Sequence, residues 1–326
     1  METLKEQKIV MRPSPDFPFE SRFVDVDGYK VRYVEKGEGD PVLFIHGNPT
    51  SSYIWRNVLP KVASDTGRRG IALDLLGFGK SDKPDVDYSL SLHAGIVEGF
   101  IEKLSLKNVI LVLQDWGGPL GMYYATRHPE NVLGVTLMET SLWDSAWKDF
   151  GAYKTGFKLF RSPLGYFMIQ VLNFFVNRLL PGAVINKKNL TDEVMRRYRE
   201  PFPTVKSRRA IRRFPQLIPI EGKPRESFEF IKEIERKLSA VSFPALWIKA
   251  TPGAIITKDT EYHLLALKEK LPQLAVKDFG PGLHYLQEDD PDKLACIITE
   301  WVRAITFEDM AAKASPSELE EILACC

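Results

Sequence analysis

Cysteine is scarce in these 326 residues, and its placement excludes a cross-linked framework. Cys296, Cys325 and Cys326 are too few and too clustered for a set of disulfides, and they lack metal-ligand spacing. Charge of one sign is also lacking, with 44 Lys and Arg against 43 Asp and Glu. Without a basic run, that balance argues against a nucleic-acid footprint or an anionic membrane surface. Long apolar runs are missing too. The most apolar window, Leu164 to Leu180, is interrupted by Gln170, Asn173 and Asn177 and falls short of a membrane span. The first residues show no charged start followed by an apolar core, so no secretory signal is read. There is no internal repeat, low-complexity tract, phosphate loop or metal-ligand cluster, and neither a metal nor an organic cofactor is expected. What is present is 11% aromatic residues that need burial. The expectation is a cytoplasmic globular protein, a monomer or weak homo-oligomer, with a small-molecule site.

Periodicity supplies the fold class. Phe23–Asp27 and Tyr29–Glu35 flank Asp27-Gly28, a strong hairpin signal because type I′ turns need positive φ. Val42–Ile45, Ile71–Leu73, Val109–Leu113, Gly134–Met138 and Ala245–Ile248 are short, mostly apolar runs, and Leu274–Phe279 is a weaker, more polar one. Helical patterns such as Leu90–Leu104 and Pro119–His128 separate several of them. Apolar strands alternating with helices imply a parallel sheet covered on both faces. The spacing breaks between Ser141 and Pro219, which reads as an inserted helical cap. The expected division is a core of residues 1–140 and 220–305, a cap of 141–219, and a tail of 306–326. In the tail, Ser315-Pro316-Ser317-Glu318 is a capping box opening a short helix. The terminal Cys-Cys is not a prenylation signal, since Leu323 holds the position that would have to be Cys.

The sharpest chemical feature is VILVLQDWGGPLG, Val109 to Gly121. An apolar strand enters a tight Gly-containing turn and then a helix, the setting of a nucleophile elbow. Asp115 stands where such elbows usually carry Ser, and Leu113 replaces the usual first small residue. A strand-end Asp is also a common helix cap. Context favours chemistry: His46-Gly47-Asn48-Pro49 follows a buried strand, and His284 lies in a Gly-rich loop after the last expected strand.

In these motifs the chain resembles the haloalkane dehalogenases of the α/β-hydrolase fold, from Pro18 to Arg303. The matching stretches are HGNPTSSYIWRNVLP, LDLLGFGKSDKPD, QDWGG, TPGAI and GPGLHYLQEDDPD. The resemblance implies a mostly parallel eight-stranded sheet flanked by helices. It makes Asp115 the nucleophile and His284 the base. Asn48 and Trp116 become the halide-stabilising pair, their backbone N–H groups also forming the oxyanion hole. The acid of the triad falls either at the end of the strand after the nucleophile helix or one strand later. Glu139 occupies the first place. The second, Lys249 to Ala254, has no acid, and Asp259 lies beyond it; Glu139 is the better candidate, as in the subfamily with a Met-Glu signature.

The residue types suit that chemistry. A carboxylate is ionised at neutral pH and attacks saturated carbon without a base, giving an alkyl–enzyme ester. The indole and amide N–H groups are uncharged donors for a departing halide. His284 then takes a proton from water attacking the ester. The partners implied are a halogenated alkane, water and halide ion, with no nucleic acid and no membrane. Phe167, Leu172, Phe174, Phe175, Phe214 and Leu283 are candidate pocket walls. Three rivals remain open: an epoxide hydrolase using the cap tyrosines Tyr153, Tyr166 or Tyr198, a coelenterazine-type luciferase, and a non-catalytic binding module on the same scaffold.

Overall fold

The computed structural model describes residues 14–313. The capping box at Ser315 and the Cys325-Cys326 pair lie outside the described residues.

The eight strands are β1 Arg22–Val26, β2 Tyr29–Lys36, β3 Pro41–Ile45, β4 Arg69–Leu73, β5 Val109–Gln114, β6 Val132–Met138, β7 Ala245–Pro252 and β8 Leu274–Gly282. They form one sheet in the order β1-β2-β4-β3-β5-β6-β7-β8. β2 runs antiparallel to both neighbours, and every other pairing is parallel. The hairpin turns where expected, with Asp27 at φ 51° and Gly28 at φ 82°. β3 and β5 are buried along their whole length because helices cover both faces. Burial of Val109, Ile110, Leu111, Val112 and Leu113 in β5 stabilises the sheet by about 1.5–3 kcal/mol per side chain.

Helix α1, Leu59–Thr66, packs with the last helix, Pro291–Lys313, on one face; α2, Leu90–Lys103, and α3, Gly117–Arg127, pack with Arg225–Lys237 on the other. Ser89 caps α2, its hydroxyl accepting from the Leu92 N–H at 3.1 Å. The last helix runs uninterrupted through the core–tail boundary expected at 305. Gly121 explains how Leu113 fits the elbow: a Cβ there would sit 2.4 Å from the Leu113 side chain. The small residue has moved from strand to helix.

Between β6 and β7 the chain leaves the sheet as the cap. Its neck is closed by the Ser145–Ile220 bridge, where the Ser145 N–H donates to Pro219 O at 3.0 Å and the Glu221 N–H to Ser145 O at 2.8 Å. The cap contains α-helices Lys154–Phe160, Asp192–Arg199 and Arg209–Leu217, and two π-helical turns, Tyr166–Val171 and Phe175–Leu179. The sheet changes its direction of winding at β3, so the carboxyl ends of β3, β5 and β6 open toward the cap at a topological switch point.

Candidate active site

Asp115 follows β5 directly and is held at φ 51°, a left-handed conformation that costs energy for a residue with a side chain. The turn is fastened from both sides: the Asp115 N–H donates to Glu139 O at 3.2 Å, and Asp115 O accepts from the Gly118 N–H at 2.9 Å and the Thr140 hydroxyl at 2.6 Å. Gly47 allows the loop after β3 to close on it, since a Cβ there would lie 2.2 Å from Asp115 Oδ2. The next residue, Asn48, donates its backbone N–H to that oxygen at 2.7 Å. The Tyr285 hydroxyl donates to Asn48 O at 3.1 Å and steadies the loop. No matching bond runs from the Trp116 backbone N–H to the carboxylate among the described residues.

His284 faces two carboxylates. Its Nε2 lies 3.7 Å from Asp115 Oδ1 and its Nδ1 3.5 Å from Glu139 Oε2, both ion-pair distances rather than formed hydrogen bonds. Burial by itself would lower the imidazole pKa, but the Asp115 and Glu139 carboxylates outweigh it and raise it to about 9. Glu139, at φ 44° just past β6, is aimed by the Ala254 and Ile255 N–H groups, which donate to Oε2 at 2.9 and 3.0 Å. The TPGAI segment thus holds the Glu139 carboxylate without supplying one of its own. The carboxylates paired with His284 are those of Asp115 and Glu139 and not that of Asp259, whose backbone N–H donates to the Thr257 hydroxyl.

The Trp116 indole is 8% exposed and packs against Phe214 with ring centroids 5.0 Å apart. The Asn48 amide donates one N–H to Ile211 O of the cap at 3.1 Å, leaving its other N–H free of that contact. Of the expected walls, Phe214 and Phe175 are buried, Phe174 is partly buried beside Phe160, and Leu283 is half-buried next to His284. Phe167 and Leu172 stand 49% and 52% exposed on the outside of the cap. The cap tyrosines are engaged elsewhere: Tyr153 is exposed, Tyr166 lies beneath Arg212, and Tyr198 donates to Glu288. His46 is structural, its Nε2 accepting from the Leu75 N–H at 3.0 Å, and burial lowers its pKa. Among the described residues no group of His, Cys, Asp and Glu could hold a metal ion.

Several participants are not evident from sequence. Gln114, fully buried, donates its amide N–H to His284 O at 3.2 Å and lies 3.3 Å from His284 Nε2. Asp289 accepts from the Leu283 N–H on Oδ2 at 2.9 Å and from the Ile185 and Asn186 N–H groups on Oδ1 at 2.6 and 3.1 Å. Its neighbour Glu288 forms a buried two-pronged pair with Arg56 at 2.6 and 2.9 Å. These groups lie inside the QDWGG and LQEDD motifs, which was the available signal.

The family model for the alpha/beta hydrolase fold matches residues 40–291. A haloalkane dehalogenase of Bradyrhizobium diazoefficiens is 38% identical over 307 residues, 90% of this chain and 97% of that protein. The chain belongs to the haloalkane dehalogenase family. Another haloalkane dehalogenase, from Mesorhizobium japonicum, is 39% identical over 280 residues, covering 84% of this chain and 88% of that one. Among solved structures, haloalkane dehalogenase DbeA from Bradyrhizobium elkani superposes with a TM-score of 0.83 at 36% identity, covering 88% of this chain and 99% of that chain. DatA from Agrobacterium tumefaciens gives 0.82 at 32%, covering 88% and 97%.

Proposed function

We propose that this protein is a hydrolytic dehalogenase that works through a covalent alkyl ester on Asp115. The observation that carries the reading is the unequal treatment of the two Asp115 oxygens. Oδ2 is held by the Asn48 N–H, while Oδ1 turns toward His284 without a hydrogen bond. Oδ1 is therefore the attacking atom. It forms a bond to the carbon bearing the halogen as the carbon–halogen bond breaks and halide leaves with the electron pair. The Trp116 indole N–H and the free Asn48 amide N–H stabilise that charge more in the transition state than in the bound substrate.

In the second step water adds to the ester carbon while His284 Nε2 takes its proton. Negative charge collects on Oδ2, already seated on the Asn48 N–H. Collapse expels the alcohol oxygen, which receives the proton from His284, and Asp115 regains its carboxylate. Glu139 serves as the acid of the triad, stabilising the imidazolium and fixing the ring, the arrangement of the subfamily with Glu in that place. The sum is haloalkane plus water giving alcohol, halide and a proton. Phe214, packed on Trp116, and Leu283, next to His284 in the chain, form the pocket wall there. An epoxide opening of the same kind needs a tyrosine proton donor near Asp115, and the cap tyrosines are bonded or exposed elsewhere.

The test is halide release from chloro-, bromo- and iodoalkanes of varied length, combined with His284→Phe. That variant should be alkylated by 1-bromobutane and stop there, its intact mass rising by one butyl group. A variant that stays unmodified after long incubation refutes the two-step scheme.

A further inference from the structure

The near-neutral charge of the whole chain conceals a segregation. Residues 141–219 carry fifteen Lys and Arg against five Asp and Glu, whereas the rest of the chain carries 29 against 38. Between Asp149 and Asp192 there is no acidic residue at all. The core answers part of the surplus, with Asp85 and Asp87 pairing with Arg209 and Arg213. The remainder faces outward: no carboxylate among the described residues pairs with Lys154, Lys158, Arg178, Lys187, Lys188 or Lys206.

Beside Arg178, Arg199 and Arg212 of this cationic cap is an apolar surface. Leu164, Tyr166, Phe167 and Leu172 are 53%, 43%, 49% and 52% exposed, all on the helical turns from Pro163 to Val171 or just beyond. Leu172 and Phe174 also line an open cavity of about 470 Å³ whose remaining lining residues are Asn177, Arg178 and Arg199. Large apolar side chains clustered in the open and edged by charge of one sign mark an interaction surface.

We propose that this face of the cap docks on a lipid surface bearing anionic headgroups. The leucines and rings enter the interfacial layer while the lysines and arginines meet headgroup phosphates. Two properties select this occupant. A polynucleotide or acidic peptide would answer the cations but offer no apolar layer to Leu164 and Leu172. A second copy of the chain would bring one strongly cationic cap against another, and like charges repel. Attachment is peripheral, since no helix among the described residues is long and apolar enough to cross a membrane. The expectation of no membrane partner, drawn from the whole-chain balance, averaged over an asymmetry that only the cap boundaries bring out.

The experiment is co-sedimentation of the full-length protein with phosphatidylcholine vesicles, with and without phosphatidylglycerol, at low and high salt. Binding should require phosphatidylglycerol and fade at high salt as the headgroup charge is screened. Each cation at such a surface strengthens adsorption roughly fivefold, so Arg178→Glu with Lys158→Glu should weaken it at least about 25-fold, and Arg178→Gln alone about fivefold. Phe167→Ser with Leu172→Ser should weaken binding while keeping its salt dependence, with thermal melting to verify that each variant is folded. No binding to anionic vesicles, or equal binding to both kinds, overturns the proposal. So does a solution dimer that the same substitutions dissociate.

Discussion

Replacing Asp115 with Asn removes one of the two negative charges facing His284 and leaves the shape of the site nearly unchanged. At 3.7 Å, a unit ion pair in surroundings of effective dielectric about 20 is worth roughly 4.5 kcal/mol, or about 3 pKa units. The Asp115 side chain keeps 18% of its exposure, so water trims this to about 2 units at the lower end. The imidazole is held at about 9 in the native protein. In Asp115→Asn it should titrate between about 6 and 7, where Glu139 and burial are left to balance each other. The assay is an NMR pH titration of the His284 ring in both proteins, with His284→Phe to assign its signals. The same arithmetic applies within the reaction, because esterification neutralises Asp115 as the substitution does. In the proposed mechanism His284 would thus be protonated at neutral pH before alkylation and become a free base once the ester exists, when a base is needed. If His284 in Asp115→Asn still titrates near the native value, the control of the base lies with Glu139 alone and this timing is wrong.

Three further outcomes follow from the geometry. Glu139→Gln removes the charge that stabilises the imidazolium and should slow ester hydrolysis at least about a hundredfold in single-turnover kinetics, while Asp259→Asn should stay within about twofold; the reverse ranking would move the acid to the later strand. Trp116→Phe keeps a ring against Phe214 but removes the indole donor, so the alkylation burst should slow by roughly 10²-fold with the ester-hydrolysis rate little changed. Glu288→Leu strands the Arg56 guanidinium, buried with both side chains fully covered, and should destabilise the fold by about 3–5 kcal/mol in denaturant melts.

Much of the fold could be read from local chemistry because local rules decide it. The Asp27-Gly28 turn, the buried run of β5 and the tight turn at Asp115 each depend on a few consecutive residues, and each sits where the sequence pointed. Asn48, Asp115, Glu139 and His284 converge because parallel strands place their carboxyl ends side by side. The cap was far less legible. Phe167 and Phe175 belong to one apolar-aromatic cluster, yet one is exposed and the other buried. Two π-helical turns there shift the usual 3.6-residue spacing, so sequence periodicity loses the record of which side faces inward. The groups that hold the site in place, such as Ile211 O and the Ala254 and Ile255 N–H, are backbone atoms, and a sequence does not say where backbone atoms point.

Asp289 joins two parts of the molecule usually considered separately. One of its oxygens is tied to Leu283, the residue before His284, and the other to the cap at Ile185 and Asn186, while Ala183 O accepts from the N–H of His284 itself. A cap that swung wide like a hinged door would wrench the imidazole out of register and break two hydrogen bonds to a half-sunken carboxylate. Passage in and out is therefore a matter of side chains stepping aside one at a time. It follows that residues around such crevices can change which molecules get through without disturbing the chemistry beneath.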